Sequence, residues 1–445
     1  MDSAPELDYS AAVEALYGLQ RFGIKLGLEK ITALLDSLGR PQERFLAAHV
    51  AGTNGKGACA AVIHAVLCAH GINAGLYTSP HLLDLRERAR DSCGMVAKSF
   101  VSRWVSTHLE RVLRERITFF ETVTAMAFDW FARRGVAAAA VEVGLGGRWD
   151  ATNVISPAVS VITSIGLEHQ AWLGRGLARI AAEKAGIAKP SVPLLCGVTA
   201  RVPLDVIAGE CREKDAPLLP LEREARLSRI RCQPDGVRFS YRSESLALDD
   251  VLAPLHGQHQ VRNAALGLRA SEILLARLGI DARPKAAAAA LEGLVWPGRF
   301  QRVNLPGRAG LVLDVAHNPA AARKLAVVWR RVFGTQKATV VAGLAADKDH
   351  ARFLAALAPL AARFILSAPD FGRADNRSGA ADPQTMASAL ARLDDGIKVR
   401  VASDIPGAIE TALGYSDPVL VTGSFRTVGE AMRALGLKTG FNGGG

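Results

Sequence analysis

The sequence predicts an α/β fold in which parallel sheets are covered by helices and divided between two domains. Apolar, strand-like runs alternate with helical patterns from about residue 45 onward, which is typical of parallel sheets. The chain has 445 residues, more than one ordinary hydrophobic core uses. A Trp-Pro-Gly break at residues 296–298 separates the first alternation from a second. We therefore expect two sheet domains joined near this break.

The first domain is expected to span residues 1–297. Its predicted strands cover residues 45–51, 74–77, 136–143 and 158–165, and a helix is predicted over residues 258–278. Alternating residues near 237–241 predict short antiparallel strands. The second domain, residues 298–437, has strands predicted at 310–315, 338–344, 363–367, 398–402 and 418–422. A flexible tail is predicted over residues 438–445.

The composition argues against several classes of protein. The net charge is +11, but the basic residues are spread along the chain, which favours attraction of anionic small molecules over nucleic-acid binding. Six scattered cysteines form no C-x-x-C pair, so neither a zinc site nor a disulfide framework is expected. The sequence predicts no transmembrane run and no signal segment. We expect a cytoplasmic protein with free thiols.

The most informative motif is a glycine-rich loop between the first predicted strand and a helix. Gly52, Gly55 and Gly57 surround Lys56. Glycines let backbone N–H groups converge on an anion, and the helix N-terminus and the lysine add positive charge. The motif differs from the strict Walker pattern, because its spacing is shorter and Ala58 stands where a hydroxyl is expected. Taken alone, it indicates either a phosphate site or a tight strand–helix connection.

Polar residues follow other predicted strands, at the edge where open parallel sheets bind ligands. Glu142 and His169 occupy such positions, and together they favour a Mg²⁺ or Mn²⁺ site over a helix cap and a loop histidine. Lys184 lies in a predicted helix, where its plain interpretation is a surface lysine paired with a neighbouring acid.

Three segments of the second domain repeat a strand–turn–helix pattern with polar residues at the turn. These residues are Asp314, His317 and Asn318; Asp347, Lys348 and Asp349; and Gly423 and Ser424. Helix capping explains each set, because Asp, Asn and Ser are preferred N-caps. Three such sets at one sheet edge, facing a phosphate-loop domain, favour a ligand-binding cleft.

Nine segments between about residue 20 and about residue 435 resemble the bifunctional dihydrofolate synthase/folylpolyglutamate synthases, within the wider Mur ligase family. The segments are HVAGTNGKG, LYTSPHL, TFFETVT, VEVGLGGRWDATN, SIGLEHQAWLG, EKAGI, WPGRFQRV, LDVAHNP and GSFRTVG. The resemblance implies a P-loop, parallel-sheet central domain like that of Mur ligases and a smaller, Rossmann-like C-terminal domain. It also implies an ATP-dependent amide ligase that joins L-glutamate to dihydropteroate and to reduced folates through an acyl phosphate.

The resemblance also implies a role for each matching position. ATP, as co-substrate, is expected to bind Gly52, Thr53, Asn54, Gly55, Lys56, Gly57, Ala58, Asn263, Arg299 and Asp314. One or two Mg²⁺ ions are expected at Ser79, Glu142, His169 and a carbamylated Lys184. The acceptor and the incoming glutamate are expected to contact Leu26, Gly27, Leu28, Thr118, Phe119, Phe120, Glu121, Asp150 and Ser424. The expected catalytic residues are Lys56, Lys184 and His317. The family suggests a monomer that binds small molecules, without nucleic acid or membrane.

Several alternatives stay open. One is a folylpolyglutamate synthase without the first activity, and another is a diverged Mur-type ligase that uses a different carboxylate. A peptidoglycan ligase is disfavoured, because 51 residues before Gly52 are too few for the additional domain of those enzymes. A P-loop switch protein needs an N-K-x-D element that is not found, and a silent nucleotide binder has no use for Lys184 and His317. The departures from the family pattern are Ala58, Glu168, Ala89 and residues 90–93.

Overall fold

The structure confirms the predicted α/β fold. The computed structural model describes residues 6–23, 27–167, 174, 176–305, 310–370 and 379–441. The strands of the first sheet are β1 Leu46–Ala51, β2 Ala74–Tyr77, β3 Ala89–Asp91, β4 Gly94–Met95, β5 Ala138–Glu142, β6 Val159–Ile162, β7 Leu194–Cys196 and β8 Leu218–Pro220. Their order is β4-β3-β2-β5-β1-β6-β7-β8, and all pair in parallel except β3 and β4, which form an antiparallel edge.

Helices cover both faces of this sheet. The described helices of this part are α1 Tyr9–Gly18, α2 Glu29–Ser37, α3 Lys56–Ala69, α4 Lys98–Arg114, α5 Phe119–Arg133, α6 Leu177–Ala185, α7 Arg201–Glu213, α8 Leu221–Glu224, α9 Gln258–Arg277 and α10 Pro284–Glu292. Ala48 and Val50 of β1 pack in the core that contains α3 and α9, whereas Ala47 packs in the core of α1, α2, α4 and α5. This alternation follows the two-residue period of a strand.

Helices α3 and α9 pack closely because their facing residues are small. A Cβ at Gly267 of α9 would lie 2.7 Å from the Val62 side chain of α3. The pair also supports a separate antiparallel sheet of β9 Arg226–Gln233, β10 Gly236–Arg242 and β11 Ala247–Ala253. The antiparallel strands predicted near residues 237–241 are therefore found.

The C-terminal sheet has six strands and repeats the parallel arrangement. Its strands are β12 Gln301–Val303, β13 Leu311–Leu313, β14 Ala338–Ala342, β15 Ala361–Leu366, β16 Val399–Val401 and β17 Val419–Thr422, in the order β12-β13-β17-β14-β15-β16. Its described helices are α11 Pro319–Phe333, α12 His350–Leu357, α13 Pro383–Leu393, α14 Ile405–Leu413 and α15 Phe425–Ala434. Only β12 runs antiparallel to its neighbour among the described strands of this sheet.

The predicted strands all appear, but several are shorter than expected, and for two of them the structure shows the physical reason. The run predicted to begin at Val136 joins the sheet at Ala138, because Gly135 has a φ of 63° and Val136 N–H closes the end of α5 on the Phe131 carbonyl. The run predicted to continue to Ile165 leaves the sheet after Ile162, and the following residues bond to the glycine-rich loop instead. The antiparallel strands β3, β4 and β12 and the parallel strands β7 and β8 were not predicted.

The last described residues, for which a flexible tail is predicted, pack against the protein. Thr439 is buried, and the Phe441 ring lies over the Arg90 guanidinium. The bounds of the two domains stay a prediction, although β12 begins just after the expected break. None of the described helices is long and apolar enough to cross a membrane.

Candidate active site

The glycine-rich loop connects the carboxyl end of β1 to α3. Gly52 and Gly55 have positive φ angles of 145° and 91°, a conformation that favours glycine. Neither position has room for a side chain, because a Cβ would lie 2.0 Å from Thr163 Oγ1 at Gly52 and 2.4 Å from Asn263 Oδ1 at Gly55. No side chain of the described residues caps α3, so the N–H groups of its first turn are available to an anion.

Hydrogen bonds anchor this loop to the residues that follow β6. The N–H groups of Thr53 and Asn54 donate to the Ser164 carbonyl and hydroxyl at 2.8 and 3.0 Å. Lys56 Nζ donates to the Gly52 carbonyl at 2.9 Å. Ala58 is buried in the first turns of α3. The loop residues expected to hold ATP therefore form one compact unit with Asn263.

Ser79 and Glu142 lie side by side at the same edge of the sheet. Ser79 N–H donates to Glu142 Oε2 at 3.1 Å. Burial raises the pKa of the Glu142 carboxyl, and the charge of Lys56 opposes this shift. A Cβ at Gly57 would lie 3.3 Å from Glu142 Oε2, so glycine keeps the approach to this carboxylate open.

The residues at this edge suit a hard divalent cation. A buried carboxylate and a serine hydroxyl supply oxygen donors of the kind that Mg²⁺ prefers. The third predicted ligand, His169, lies outside the described residues. Within the described ranges, no group of three His, Cys, Asp or Glu side chains could hold a metal ion. The fit to a metal therefore rests on Ser79 and Glu142.

Lys184 is buried, so the interpretation as a surface lysine is wrong. Only 2% of its surface is exposed, and its Nζ donates to the Gly52 carbonyl at 3.0 Å. The loop after β5 covers it, because a Cβ at Gly147 would lie 2.8 Å from the Glu183 carbonyl and 2.9 Å from the Lys184 carbonyl. Helix periodicity shows which residues share a face but not which loop covers that face, so the sequence could not show this burial.

Arg299 and Asp314 are half-buried residues of opposite charge on the C-terminal side. The antiparallel strand β12 brings them together, since Phe300 N–H donates to Asp314 Oδ2 at 2.8 Å. Burial raises the pKa of Asp314 and lowers that of Arg299, while each charge opposes the shift of the other. The charge of Arg299 also lowers the pKa of Glu142 in the first domain. The pair thus links the two sides of the site.

His317 and Ser424 lie near one aromatic ring at the carboxyl edge of the C-terminal sheet. His317 Nδ1 donates to the Val315 carbonyl at 3.0 Å, and its ring centroid lies 6.3 Å from that of Phe425. The Arg299 guanidinium lies 4.8 Å from the centre of the same ring. Ser424 caps α15 by accepting from Thr427 N–H at 3.0 Å.

The other polar turns of this domain are helix caps. Asn318 accepts from Ala321 N–H at 2.8 Å and caps α11, and Asp349 accepts from Arg352 N–H at 3.1 Å and caps α12. Lys348 forms an ion pair with Asp347 at 3.0 Å. Capping therefore explains Asn318, Asp349 and Ser424 locally, and Ser424 directly precedes Phe425 in the chain.

Most of the described residues expected to contact the acceptor lie at the start of α5 or just before α2. Thr118 and Glu121 form a capping box at the start of α5, and a Cβ at Gly144 would meet the Phe120 ring at 2.5 Å. Phe119 stacks on Tyr17, with ring centroids 5.6 Å apart. Gly27 and Leu28 precede α2, and Leu28 packs on the core formed by α1, α2, α4 and α5. Leu26 lies outside the described residues.

The Asp150 carboxylate accepts hydrogen bonds that hold the loop after β5 together. It accepts from Leu145 N–H at 2.8 Å and from Thr152 Oγ1 at 2.5 Å. Because that hydroxyl proton goes to Asp150, Thr152 Oγ1 accepts from His49 Nε2, which lies 2.8 Å away. Burial lowers the pKa of His49 to about 3, so this histidine is neutral. A buried chain of hydrogen bonds therefore runs from β1 to the loop beside Phe120.

The two sides of the site meet in one pocket. Among its lining residues are Ser79 and Glu142 from the first sheet, Trp296 and Arg299 from the connection, and Phe425 from α15. The structure thus brings the predicted metal and nucleotide residues next to residues of the C-terminal domain. A pocket lined by two parts of the chain, with polar groups converging on it, is a typical place for a small-molecule ligand.

Comparison with known proteins agrees with this geometry. Residues 298–425 match the model of the Mur ligase glutamate ligase domain. The chain is 32% identical over 446 residues to the dihydrofolate synthase/folylpolyglutamate synthase of Bacillus subtilis, covering 96% of this chain and 99% of that protein. The chain belongs to the dihydrofolate synthase/folylpolyglutamate synthase family.

Two further relatives support this assignment. The chain is 37% identical over 443 residues to a probable bifunctional folylpolyglutamate synthase/dihydropteroate synthase of Haloferax volcanii, and it spans 50% of that protein. Its fold matches a bifunctional folylpolyglutamate synthase/dihydrofolate synthase of Yersinia pestis complexed with AMPPNP and Mn ion, with a TM-score of 0.82 and 30% identity. That match covers 98% of this chain and 100% of the solved one.

This member of the dihydrofolate synthase/folylpolyglutamate synthase family also has residues at the site that the sequence did not identify. His81 accepts from Arg88 Nε at 2.9 Å and lies 2.9 Å from the Tyr17 hydroxyl, beside Phe119. Burial, followed by the charge of Arg88, lowers the pKa of His81 well below its usual range, so its ring is neutral. His81 lies in the quoted segment LYTSPHL, but no spacing rule connects it to Arg88 or Tyr17.

Proposed function

We propose that this chain uses ATP to join L-glutamate to dihydropteroate and to reduced folates. The observation that carries the proposal is the pocket where Ser79 and Glu142 meet Arg299 and Phe425 of the glutamate ligase domain. A ligase of this kind must hold a nucleotide phosphate, an acceptor carboxylate and an amine within reach of one another. A pocket lined from both domains provides such a place.

In the first step, an oxygen of the acceptor carboxylate attacks the γ-phosphorus of ATP, and ADP leaves. Negative charge develops on the phosphoryl oxygens, and the N-terminus of α3 together with Lys56 stabilises it. Lys56 Nζ donates to the Gly52 and Thr53 carbonyls at 2.9 and 3.4 Å, and a phosphate oxygen is a stronger acceptor than these neutral groups.

We propose that Mg²⁺ is the metal of this site. Ser79, Glu142, His169 and a carbamylated Lys184 would hold it, and the ion supplies positive charge against the phosphoryl oxygens. Carbamylation converts the buried ammonium of Lys184 into an anion that carries oxygen donors. The contact of Lys184 Nζ with the Gly52 carbonyl, at 3.0 Å, places that side chain directly under the phosphate loop.

In the second step, the α-amino nitrogen of glutamate attacks the acyl carbonyl, a tetrahedral intermediate forms, and phosphate leaves. Arg299 lines the pocket, where its cation would stabilise the departing phosphate, and the charge of Asp314 favours the ionised guanidinium. His317 and Ser424 are proposed to contact the incoming glutamate; what supports this is the position of the His317 ring beside Phe425 and of Ser424 at the start of the same helix. Closure of the two domains, with Pro297 and Gly298 as the proposed hinge, would keep water from the acyl phosphate.

Separate assays with each acceptor test this proposal. Purified protein is incubated with ATP, Mg²⁺, L-glutamate and either dihydropteroate or tetrahydrofolate, and both ADP and the glutamylated product are measured. We expect both acceptors to yield product. Product from tetrahydrofolate alone would restrict the enzyme to folylpolyglutamate synthesis, and no product from either acceptor would refute the assignment.

We propose further that the enzyme acts as a monomer in the cytoplasm. What supports a monomer is that segments from both parts of one chain line the pocket. The proposed substrates are small anionic molecules, and the positive net charge of +11 attracts them.

A further inference from the structure

The last described residues of the chain return to the first domain. Thr439 is buried, and a Cβ at Gly440 would lie 3.3 Å from the Val295 side chain. The Phe441 ring lies over the guanidinium of Arg90, 3.5 Å from the ring centre. Arg90 belongs to strand β3 of the first sheet. Residues 439–441 therefore connect the C-terminal domain to strand β3 of the first sheet.

Phe441 also lines the reaction pocket. It shares that lining with Ser79, Glu142 and Arg299, and with Trp296. The ring centroids of Trp296 and Phe441 are 6.4 Å apart. The Trp296 ring in turn touches the phosphate loop, because a Cβ at Gly57 would lie 2.7 Å from it. The two aromatic rings thus form a continuous wall between the phosphate loop and the end of the chain.

Arg90 is the group that holds this wall in place. Its side chain is buried, and its Nε has no hydrogen-bond partner among the described residues. Burial lowers the pKa of Arg90 to about 10, so the guanidinium keeps its charge at neutral pH. Since a buried cation without full hydrogen bonding is costly, the faces of Phe441 and Trp296 stabilise it through cation–π contacts.

Water that enters this pocket would hydrolyse the acyl phosphate. An acyl phosphate attacked by water gives back the carboxylic acid and inorganic phosphate, so ATP is consumed without formation of an amide. Resting on the function proposed above, we propose that Phe441 closes the reaction pocket against water and so couples ATP cleavage to glutamate addition. Arg90 is then a positioning residue, because it acts by holding the Phe441 ring.

The ratio of ADP released to glutamylated product, measured in one reaction, tests this inference. The wild-type ratio is expected to be near one. We expect Phe441→Ala to raise it by about threefold or more, because water then reaches the acyl phosphate. Phe441→Tyr keeps the ring face and should retain the wild-type ratio. Arg90→Met should raise the ratio in the same direction, since it removes the cation that orients the ring.

Lys438→Ala is the matched control, because this exposed side chain lies in the same segment and its loss should leave the ratio unchanged. A wild-type ratio in Phe441→Ala would overturn the inference, and so would an equal rise in Phe441→Tyr. If wild-type protein forms no product with either acceptor, the proposed function fails instead, so the two failures are distinct. If Phe441→Ala does not fold, Arg90→Met tests the same inference, because it removes the contact that positions the Phe441 ring.

Discussion

Burial shifts the pKa values of several charged residues at the site. Burial raises the pKa of the Glu142 and Asp314 carboxyls and lowers the pKa of the Arg299 guanidinium. The opposing charges of Lys56 and Arg299 limit these shifts. A cation bound at Glu142 would favour its ionised form further, so metal and nucleotide are expected to stabilise this site mutually.

Lys184 gives the residue-scale prediction. Lys184→Ala should lower kcat by about 100-fold or more, because the proposed metal site loses one of its anionic ligands. Carbon-13 NMR after addition of labelled bicarbonate should show a carbamate signal in the wild type that is missing from this variant.

Lys189→Ala is the control for Lys184. Lys189 Nζ donates to the Asn153 carbonyl at 2.9 Å in the same part of the fold, and it has no proposed role in the reaction. Full activity of Lys184→Ala would show that no carbamylated lysine takes part.

At the scale of elements, the site depends on the close approach of α3 to its neighbours. A side chain at Gly57 would meet Trp296 at 2.7 Å and Glu142 Oε2 at 3.3 Å. The same helix packs against α9 through Val62 and Gly267. Small residues along α3 therefore let one helix contact the pocket wall, the carboxylate and the core at once.

Gly57→Ala is predicted to lower kcat/KM for ATP by about tenfold or more, since it displaces Trp296 and Glu142 together. Steady-state kinetics at varied ATP concentration measures this effect. Gly209→Ala in α7 is the control, because its Cβ would meet nothing within 4 Å. The control should keep wild-type kinetics and gain up to ~1 kcal/mol of stability from its helix propensity. Equal kinetics in the two variants would contradict the role given to Gly57.

At the scale of the whole molecule, a contact between distant segments fixes the two domains around the pocket. Arg433 on α15 donates to the Leu83 carbonyl at 3.1 Å across 350 positions of sequence. On the same helix, a Cβ at Gly429 would lie 2.3 Å from the Leu82 carbonyl oxygen. Helix α15 thus packs on the segment that follows Ser79.

Gly429→Ala tests whether this contact sets the geometry between the domains. The added methyl group cannot occupy the space of a backbone oxygen, so the domains must separate locally. We expect kcat to fall by about tenfold or more while circular dichroism shows a folded protein. Wild-type kcat in the folded variant would show that this contact has no effect on the reaction.

The sequence by itself determined the features that depend on neighbouring residues. Apolar periodicity predicted the strands, such as β2 at Ala74–Tyr77. The cluster of Gly52, Gly55 and Gly57 around Lys56 predicted the loop, and the structure adds the positive φ angles of Gly52 and Gly55. Capping preferences predicted the turns at Asn318 and Ser424. Each of these signals acts within a few positions of the chain, so it can be interpreted without knowledge of the fold.

The tertiary structure alone decided the features that depend on distant residues. It buried Lys184 under Gly52, joined His49 to Thr152 and Asp150, and placed Phe441 on Arg90. Burial and pairing of charges arise when segments far apart in sequence exclude water from the same volume. No local sequence pattern encodes these long-range contacts. Only the tertiary structure therefore shows which charged groups lie at the pocket and which aromatic ring lines it.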